Sequence, residues 1–483
     1  MKPLNQLLPG EPCGDLEISG ITSNSDQVKP GNLYFAIPGT KHDGHDFITQ
    51  AVKNGASAVV GQYPAPAGRL SVPYIKVASS RKTLAEAAAI WFGDPTAKMN
   101  LVGITGTNGK TTTTYLLRQL WQHLKIPSGL IGTIEYWIGK RREKSSLTTP
   151  DAMTLQRLFS EMVAENIRYA AMEVSSIALD QYRAHGTRFK VGVFTNLTQD
   201  HLDYHRDMES YFQSKVRLFT DFGLETAVIN IDDPYGVKLV EMGLKVKCLT
   251  FSLKDPKADF SAEDIRMEKG GTLAKIKTPA GKKIFHTPLI GKHNLANCFT
   301  ALATAHALGQ SIDDAIEGLG KAAGAPGRLE RVKVPPRGPH VFVDYAHTPD
   351  ALSNVIGALN ALRQNQPGRL ITVFGCGGDR DRSKRPLMAG IASRGSDLTI
   401  ATSDNPRTES PETILDDVEV GIAKSSTEYY RETNRRSAIH MALKLSKPDD
   451  IVLVAGKGHE TYQIVGKEEL PFDDREVVHE YYK

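Results

Sequence analysis

Apolar residues along this chain gather in short continuous runs separated by polar, amphipathic stretches. The runs at 101–105, 169–174, 191–195 and 226–231 are unbroken rather than alternating, as expected of strands buried on both faces. Residues 155–165 and 208–220 lie between such runs and read as helices, so strands and helices alternate and predict a mainly parallel sheet. Residues 262–287 alternate differently, with Gly270-Gly271 and Ala280-Gly281 as turns, and predict antiparallel hairpins near a domain edge. An alanine-rich helix follows at 294–309.

The same logic marks out two further regions. Towards the N-terminus, strands at 18–21, 33–37, 58–60 and 74–77 are interleaved with helices at 47–54 and 81–92. Beyond the breaker Pro335-Pro336-Arg337-Gly338-Pro339, strands at 341–343, 370–374, 398–401 and 451–454 alternate with helices at 349–363, 385–393, 411–423 and 435–445. The expected class is α/β with three domains. These are a small N-terminal α/β domain (1–98), a central P-loop ATPase-like parallel-sheet domain (99–331) and a C-terminal Rossmann-like domain (332–483). The length of 483 residues agrees, at about 150 residues per domain.

Composition narrows the function class. With 40% hydrophobic and 24% charged residues the chain is not disordered as a whole. Lys+Arg of 59 against Asp+Glu of 55 leaves a net charge of +4, too small an excess to argue for a nucleic-acid binder. Cys13, Cys248, Cys298 and Cys376 are far apart and form no C-x-x-C pair, which speaks against a disulfide framework and a structural zinc site. The first twenty residues lack a basic-then-apolar layout, and no apolar stretch approaches about 20 residues, so neither a leader nor a membrane span is expected. The expected location is the cytoplasm.

The sharpest chemical signal is Gly106-Thr107-Asn108-Gly109-Lys110-Thr111-Thr112, which follows the run 101–105 and opens a helix. Glycines let a backbone wrap phosphates, Lys110 can reach terminal phosphates, and Thr111 can hold magnesium. The strict P-loop pattern has glycine where Ile104 stands. Glu173 ends one strand and His201 follows another, at the carboxyl ends where ligands of an open parallel sheet bind, and they could complete a magnesium site. Each read alone is an ordinary loop residue. Lys215 reads as a solvated helix lysine.

Three strand-end loops in the last region carry Arg380, Asp404-Asn405-Pro406-Arg407 and Gly456 to Glu460. Arginine forks suit carboxylates and Glu460 suits an ammonium, so together they suggest an amino-acid pocket, although surface salt bridging would explain any one of them. Asp344 ends a fourth strand and could take ribose hydroxyls, or simply form a turn before the helix at Pro349. A nucleotide switch or motor would also use the phosphate loop, but would give no reason for the strand-end Arg and Glu.

Taken together, Gly106 to Thr111, 172–176, 200–205, 344–349, 377–380, 404–407 and 456–460 resemble the Mur ligases, ATP-dependent amide-forming enzymes of peptidoglycan precursor synthesis. The resemblance implies ATP and Mg2+ as cofactors. It implies an acyl-phosphate route, with UDP-N-acetylmuramoyl-L-alanyl-D-glutamate as acceptor and meso-diaminopimelate as incoming amino acid. It implies catalytic roles for Lys110, Glu173, His201 and Lys215, with Thr111, Glu173, His201 and a carbamylated Lys215 around metal. It assigns Asn294, Arg328 and Asp344 to the nucleotide, beside Gly106 to Thr112. The UDP-sugar peptide is expected at Ser25, His42, Asp43, Gly44, Thr148, Thr149, Ser175, Gln181 and Arg183. The amino acid is expected at Arg380, Asp404, Asn405, Pro406, Arg407, Gly456 and Glu460. Asn24-Ser25-Asp26, Leu147 and Ile177 depart from the commoner family pattern.

Overall fold

Buried β-branched runs become strands, and the strands order themselves as the alternation requires. The computed structural model describes residues 1–39, 42–67, 70–268, 270–364, 367–422 and 427–483, except the side chain of Asp203. Residue 423, the expected end of one helix, lies outside the described residues; that helix is Pro411–Ile422. The chain divides into two compact units, Met1–Phe260 with Thr300–Ala315, and Ser261–Phe299 with Ile316–Lys483.

The first unit contains a 4-stranded parallel sheet of Gly20–Thr22, Asn32–Phe35, Ala56–Gly61 and Tyr74–Lys76. The helix Ser80–Trp91, N-capped by the Ser79 hydroxyl, buries Leu84, Ala87 and Ala88 in a core with Leu33, Phe35 and Val60. The unit also contains a larger sheet. Its parallel strands run Ser128–Ile131, Tyr169–Glu173, Asn100–Thr105, Val191–Phe194, Thr226–Asn230 and Lys247–Ser252 in spatial order. The antiparallel strands Glu135–Ile138 and Arg141–Lys144 extend its first edge. From Asn100–Thr105 the chain first winds to one side and later returns past it to the other. That strand is therefore a switch point, with Glu173 ending one neighbour and Thr195 following the other.

The second unit is built on a 6-stranded sheet in the order Glu330–Val332, His340–Asp344, Ile451–Ala455, Leu370–Cys376, Leu398–Ser403 and Glu428–Arg431. All neighbours are parallel except the first pair. Helices Pro349–Arg363 and Arg435–Leu445 cover opposite faces, each closing its own apolar layer. The strands Phe260–Glu268, Gly271–Thr278 and Gly281–Thr287 pair as the antiparallel hairpins the sequence predicts. Among the described residues no helix is long and apolar enough to cross a membrane.

Candidate functional site

The glycine loop lies between the strand Asn100–Thr105 and the helix Lys110–His123. Gly106 has φ +148° and Gly109 φ +87°, and a Cβ on Gly106 would come within 1.9 Å of Thr195 Oγ1. The loop is pinned from the neighbouring strand: Asn196 accepts from Thr107 N (2.9 Å) through its carbonyl and from Asn108 N (2.8 Å) through Oδ1. These two loop amides therefore face the strand end rather than a phosphate. The groups here suited to an anion are the helix's first-turn amides and Lys110, whose Nζ donates to Gly106 O and Thr107 O, each at 2.8 Å.

Thr111 Oγ1 stands 3.0 Å from both oxygens of Glu173, whose side chain is buried. Thr133 holds that carboxylate from the other side, donating from N (2.8 Å) to Oε1 and from Oγ1 (3.1 Å) to Oε2. Gly132 allows the approach, since a Cβ there would meet Glu173 Oε1 at 2.4 Å. Oxygen donors of this kind fit a hard cation such as magnesium. His201 is not drawn into the pair. Its side chain is 47% exposed, its Nε2 is 3.7 Å from Asp200 Oδ2, and its ring packs edge-on against Tyr211, which hydrogen-bonds Thr107. Among the described residues no group of three or more His, Cys, Asp or Glu side chains forms a metal cluster.

Lys215 corrects the solvated reading. It is 1% exposed, donates from Nζ to Gly106 O (2.9 Å) and lies over the Tyr211 ring at 4.5 Å. Burial holds its ammonium well below the usual lysine range, the nearby Lys110 charge adds to that, and Asp200 opposes it. A helix lysine that looks polar in sequence is thus an inward-facing amine at the phosphate loop.

The residues expected at the sugar peptide form two groups within this unit. Thr149 donates to Glu173 O (2.9 Å) and accepts from Ser175 N (3.0 Å); Thr148 hydrogen-bonds Thr133 (3.1 Å). Arg183 donates to Gln181 Oε1 (2.8 Å) and to Thr149 O (3.3 Å), and burial, with repulsion from Arg81, lowers its pKa. Ser25 and the stretch His42, Asp43 and Gly44 follow the C-terminal ends of adjacent strands of the smaller sheet. Asp43 Oδ1 caps the turn by accepting from His45 N at 2.9 Å.

In the second unit Asp404 Oδ1 accepts from Asn405 N (2.7 Å), while its buried Oδ2 has no hydrogen-bond partner among the described residues. Gly456, at φ +119°, leaves room for that oxygen, because a Cβ would meet it at 2.5 Å. Asn405 Nδ2 donates to Glu460 Oε2 (2.9 Å), and the fully buried Lys457 donates to the same oxygen (2.8 Å) and to Asn405 Oδ1 (3.1 Å). Arg407, at φ +52°, donates from Nη1 to Gly378 O (2.8 Å), whereas Arg380 is exposed and donates to Asp379 O (3.1 Å). Asp404, Asn405, Pro406, Arg407, Gly456 and Glu460 are thus one cluster with Arg380 at its rim.

Asp344 is buried and accepts from Leu329 N (2.6 Å) and Ala346 N (2.7 Å). Burial pushes its carboxyl up to about 6 against the pull of Arg328 and these two amides. Arg328 lies over Tyr345 at 4.6 Å. Asn294 is buried in the helix Lys292–Ala307, with Nδ2 on Ile290 O (2.9 Å). Sequence reasoning missed Gly132, Thr133, Asn196, Tyr211 and Lys457. Only Asn196 and Lys457 carried a signal, as polar residues just past apolar runs.

Comparison with known proteins agrees across the chain. Residues 17–91 match the Mur ligase family catalytic domain, 104–305 the Mur ligase middle domain and 327–458 the Mur ligase glutamate ligase domain. The chain is 46% identical over 468 residues to a UDP-N-acetylmuramoyl-L-alanyl-D-glutamate–2,6-diaminopimelate ligase of Gloeobacter violaceus, covering 96% of this chain and 94% of that protein. A ligase of the same name from Geobacter sulfurreducens is 46% identical over 489 residues, covering 96% and 94%. A solved structure of a ligase with that name superposes with a TM-score of 0.76 at 32% identity, covering 100% of this chain and 99% of the other.

Proposed function

The chain belongs to the Mur ligase family, and we propose that it joins meso-2,6-diaminopimelate to UDP-N-acetylmuramoyl-L-alanyl-D-glutamate at the expense of ATP. The near-full-length identity to ligases of that name carries this reading. The polar chemistry of Asp404, Arg407 and Glu460 supports it. We assign 1–98 to the UDP-sugar, 99–331 to ATP and 332–483 to the amino acid, and place the reaction in the cytoplasm.

The chemical problem is that a carboxylate is a poor electrophile towards an amine at neutral pH. ATP solves it by phosphorylating the acceptor carboxylate; the amine then forms the C–N bond and phosphate departs with the C–O electrons. The chain's part is positioning and charge compensation. Lys110 and the first turn of its helix hold the phosphates, and Asp344 with Arg328 and Asn294 takes the nucleoside. Thr111 and Glu173 would hold a magnesium ion through their oxygens, with His201 placed outside that pair, and the ion when bound would offset charge on phosphate oxygens.

Lys215 has the property a carbamate needs. Only a neutral amine attacks CO2, forming N–C and releasing one proton, and burial with the Lys110 charge favours the neutral amine. The product is an anion in place of the neutral amine beside Gly106. In the amino-acid pocket, Asp404 Oδ2 and Glu460 face ammonium groups, and Arg407 takes the distal carboxylate that L-lysine lacks. Turnover with the UDP-sugar dipeptide, ATP and magnesium, compared between meso-diaminopimelate and L-lysine, tests the reading. Strong preference for meso-diaminopimelate is expected, and faster turnover with lysine overturns it.

A further inference from the structure

The strands Tyr462–Val465 and Glu468–Pro471 form a two-stranded hairpin whose second strand is wholly exposed. Such a hairpin is marginal alone and needs an anchor. Its anchors converge on one place. Gln463 Nε2 donates to Asp404 O (2.5 Å), Ile464 N donates to Asn405 Oδ1 (2.9 Å), Ile464 O accepts from Arg407 N (3.1 Å), and Gly466 N donates to Arg407 O (2.8 Å). Arg407 and Val465 are joined as an isolated parallel bridge.

The geometry of Arg407 shows why an anchor matters there. A non-glycine residue at φ +52° is held against a local preference worth about 1 kcal/mol or more. The bonds to Ile464 and Gly466 grip both its N–H and its C=O, so they fix the turn that sends the guanidinium to Gly378 O. The carboxamide of Asn405 is oriented in the same way. Its oxygen is saturated by Ile464 N and Lys457 Nζ, and its nitrogen faces Glu460. The base of the hairpin is tied in turn: Phe472 N donates to Thr461 O (3.0 Å), one residue past Glu460. Asp474 makes a fully buried pair with Arg435 (2.7 Å), which also reaches Ala455 O (3.0 Å) just before Gly456.

We propose that this hairpin is a specificity element, with Gln463 a positioning residue that sets the backbone of Asp404 to Arg407 without touching the amino acid. The inference rests on the amino-acid pocket proposed above, and it adds that selection depends on an exposed ribbon outside that pocket. Loosening the clamp lets Arg407 relax towards ordinary backbone angles and withdraws the fork from the distal carboxylate. Recognition of groups shared by both amino acids survives.

The experiment uses the full-length enzyme with Gln463→Met, which removes the donor while keeping length and bulk, and Gly466→Ala, which strains φ +62° in open space and leaves every side chain of the pocket intact. KM and kcat are measured for meso-diaminopimelate and L-lysine, KM for ATP, and the melting temperature. Loss of one neutral hydrogen bond predicts a KM for meso-diaminopimelate raised about fivefold, with kcat, the KM for ATP and the lysine rate within about twofold. Gln463→Glu, which aims a carboxylate at Asp404 O, is expected to be worse than Met. Unchanged preference in both folded variants overturns the proposal, as does an equal loss for all substrates together with a lowered melting temperature. Wild-type enzyme that prefers lysine sinks the parent reading instead, which the same wild-type measurements reveal independently of the variants.

Discussion

At the residue scale, two of the ionisable groups whose charge is opposed by burial give measurable signatures. Lys215 is the clearer. Its folded-state pKa is depressed below that of the unfolded chain, so between the two values the unfolded state binds the extra proton. Stability therefore rises with pH across that window, and at neutral pH the lysine is a net cost. Lys215→Met is expected to stabilise the protein by about 1 kcal/mol at neutral pH in denaturant unfolding, while abolishing most turnover, the opposed signs marking a functional strain. A destabilised variant would contradict the assignment of burial as the dominant cause. Asp344 has the reverse sign: its carboxyl is raised to about 6, so the folded state holds the proton more tightly. Its contribution is best at low pH and is lost as pH rises towards and past about 6. Asp344→Asn removes this dependence. The wild type's stability relative to the variant should fall by about 2 kcal/mol between about pH 4 and about pH 7, read from paired unfolding curves.

At the scale of elements, the site is made by what happens at the ends of three adjacent strands. The strand Ser128–Ile131 ends in Gly132-Thr133, Tyr169–Glu173 ends in the carboxylate itself, and Asn100–Thr105 delivers the loop and the Thr111 helix. Tolerance is low at Gly132. It needs no unusual φ, yet a side chain there would press on Glu173 Oε1 at 2.4 Å, and the carboxylate is already held by Thr111 and two bonds from Thr133. Gly132→Ala is expected to lower kcat by about a hundredfold with a modest change in melting temperature, because a shift of about 1 Å at the reacting groups is enough. Near wild-type kcat would show that Glu173 can move freely. The phosphate loop, Glu173 and the strand-end Asp404 motif were legible from sequence because each sits at the end of an apolar run, and run ends are easy to place. Thr133 was not, because 128–144 mixes apolar and charged residues and hides the strands Ser128–Ile131 and Glu135–Ile138. The hairpin Tyr462–Pro471 was invisible for a related reason: its exposed second strand has no apolar face to show. Lys215 failed differently, since a lysine's charge says nothing of which face of its helix is buried.

At the scale of the whole molecule, a net charge of +4 has to serve substrates that are all anionic or carry carboxylates. A general basic surface is therefore not the expected device; on the proposed reading single cations at fixed places are, such as Lys110 on its loop carbonyls, Arg183 beside Thr149 and Arg407 on Gly378 O. Fixed cations bind one geometry each, and this bears on how ATP cleavage is controlled. If the acceptor carboxylate is the nucleophile towards the terminal phosphate, water must compete poorly for the same position, and ADP release should follow acceptor binding rather than nucleotide binding. ATP turnover without the UDP-sugar dipeptide is expected at no more than about 1% of the coupled rate, a barrier difference of about 3 kcal/mol. Acceptor alone should give at most a stoichiometric burst of ADP, released from stalling by the amino acid. A nucleotide switch built on the same loop would hydrolyse ATP steadily with neither partner present, and a malachite-green assay run with each substrate omitted in turn separates the two behaviours.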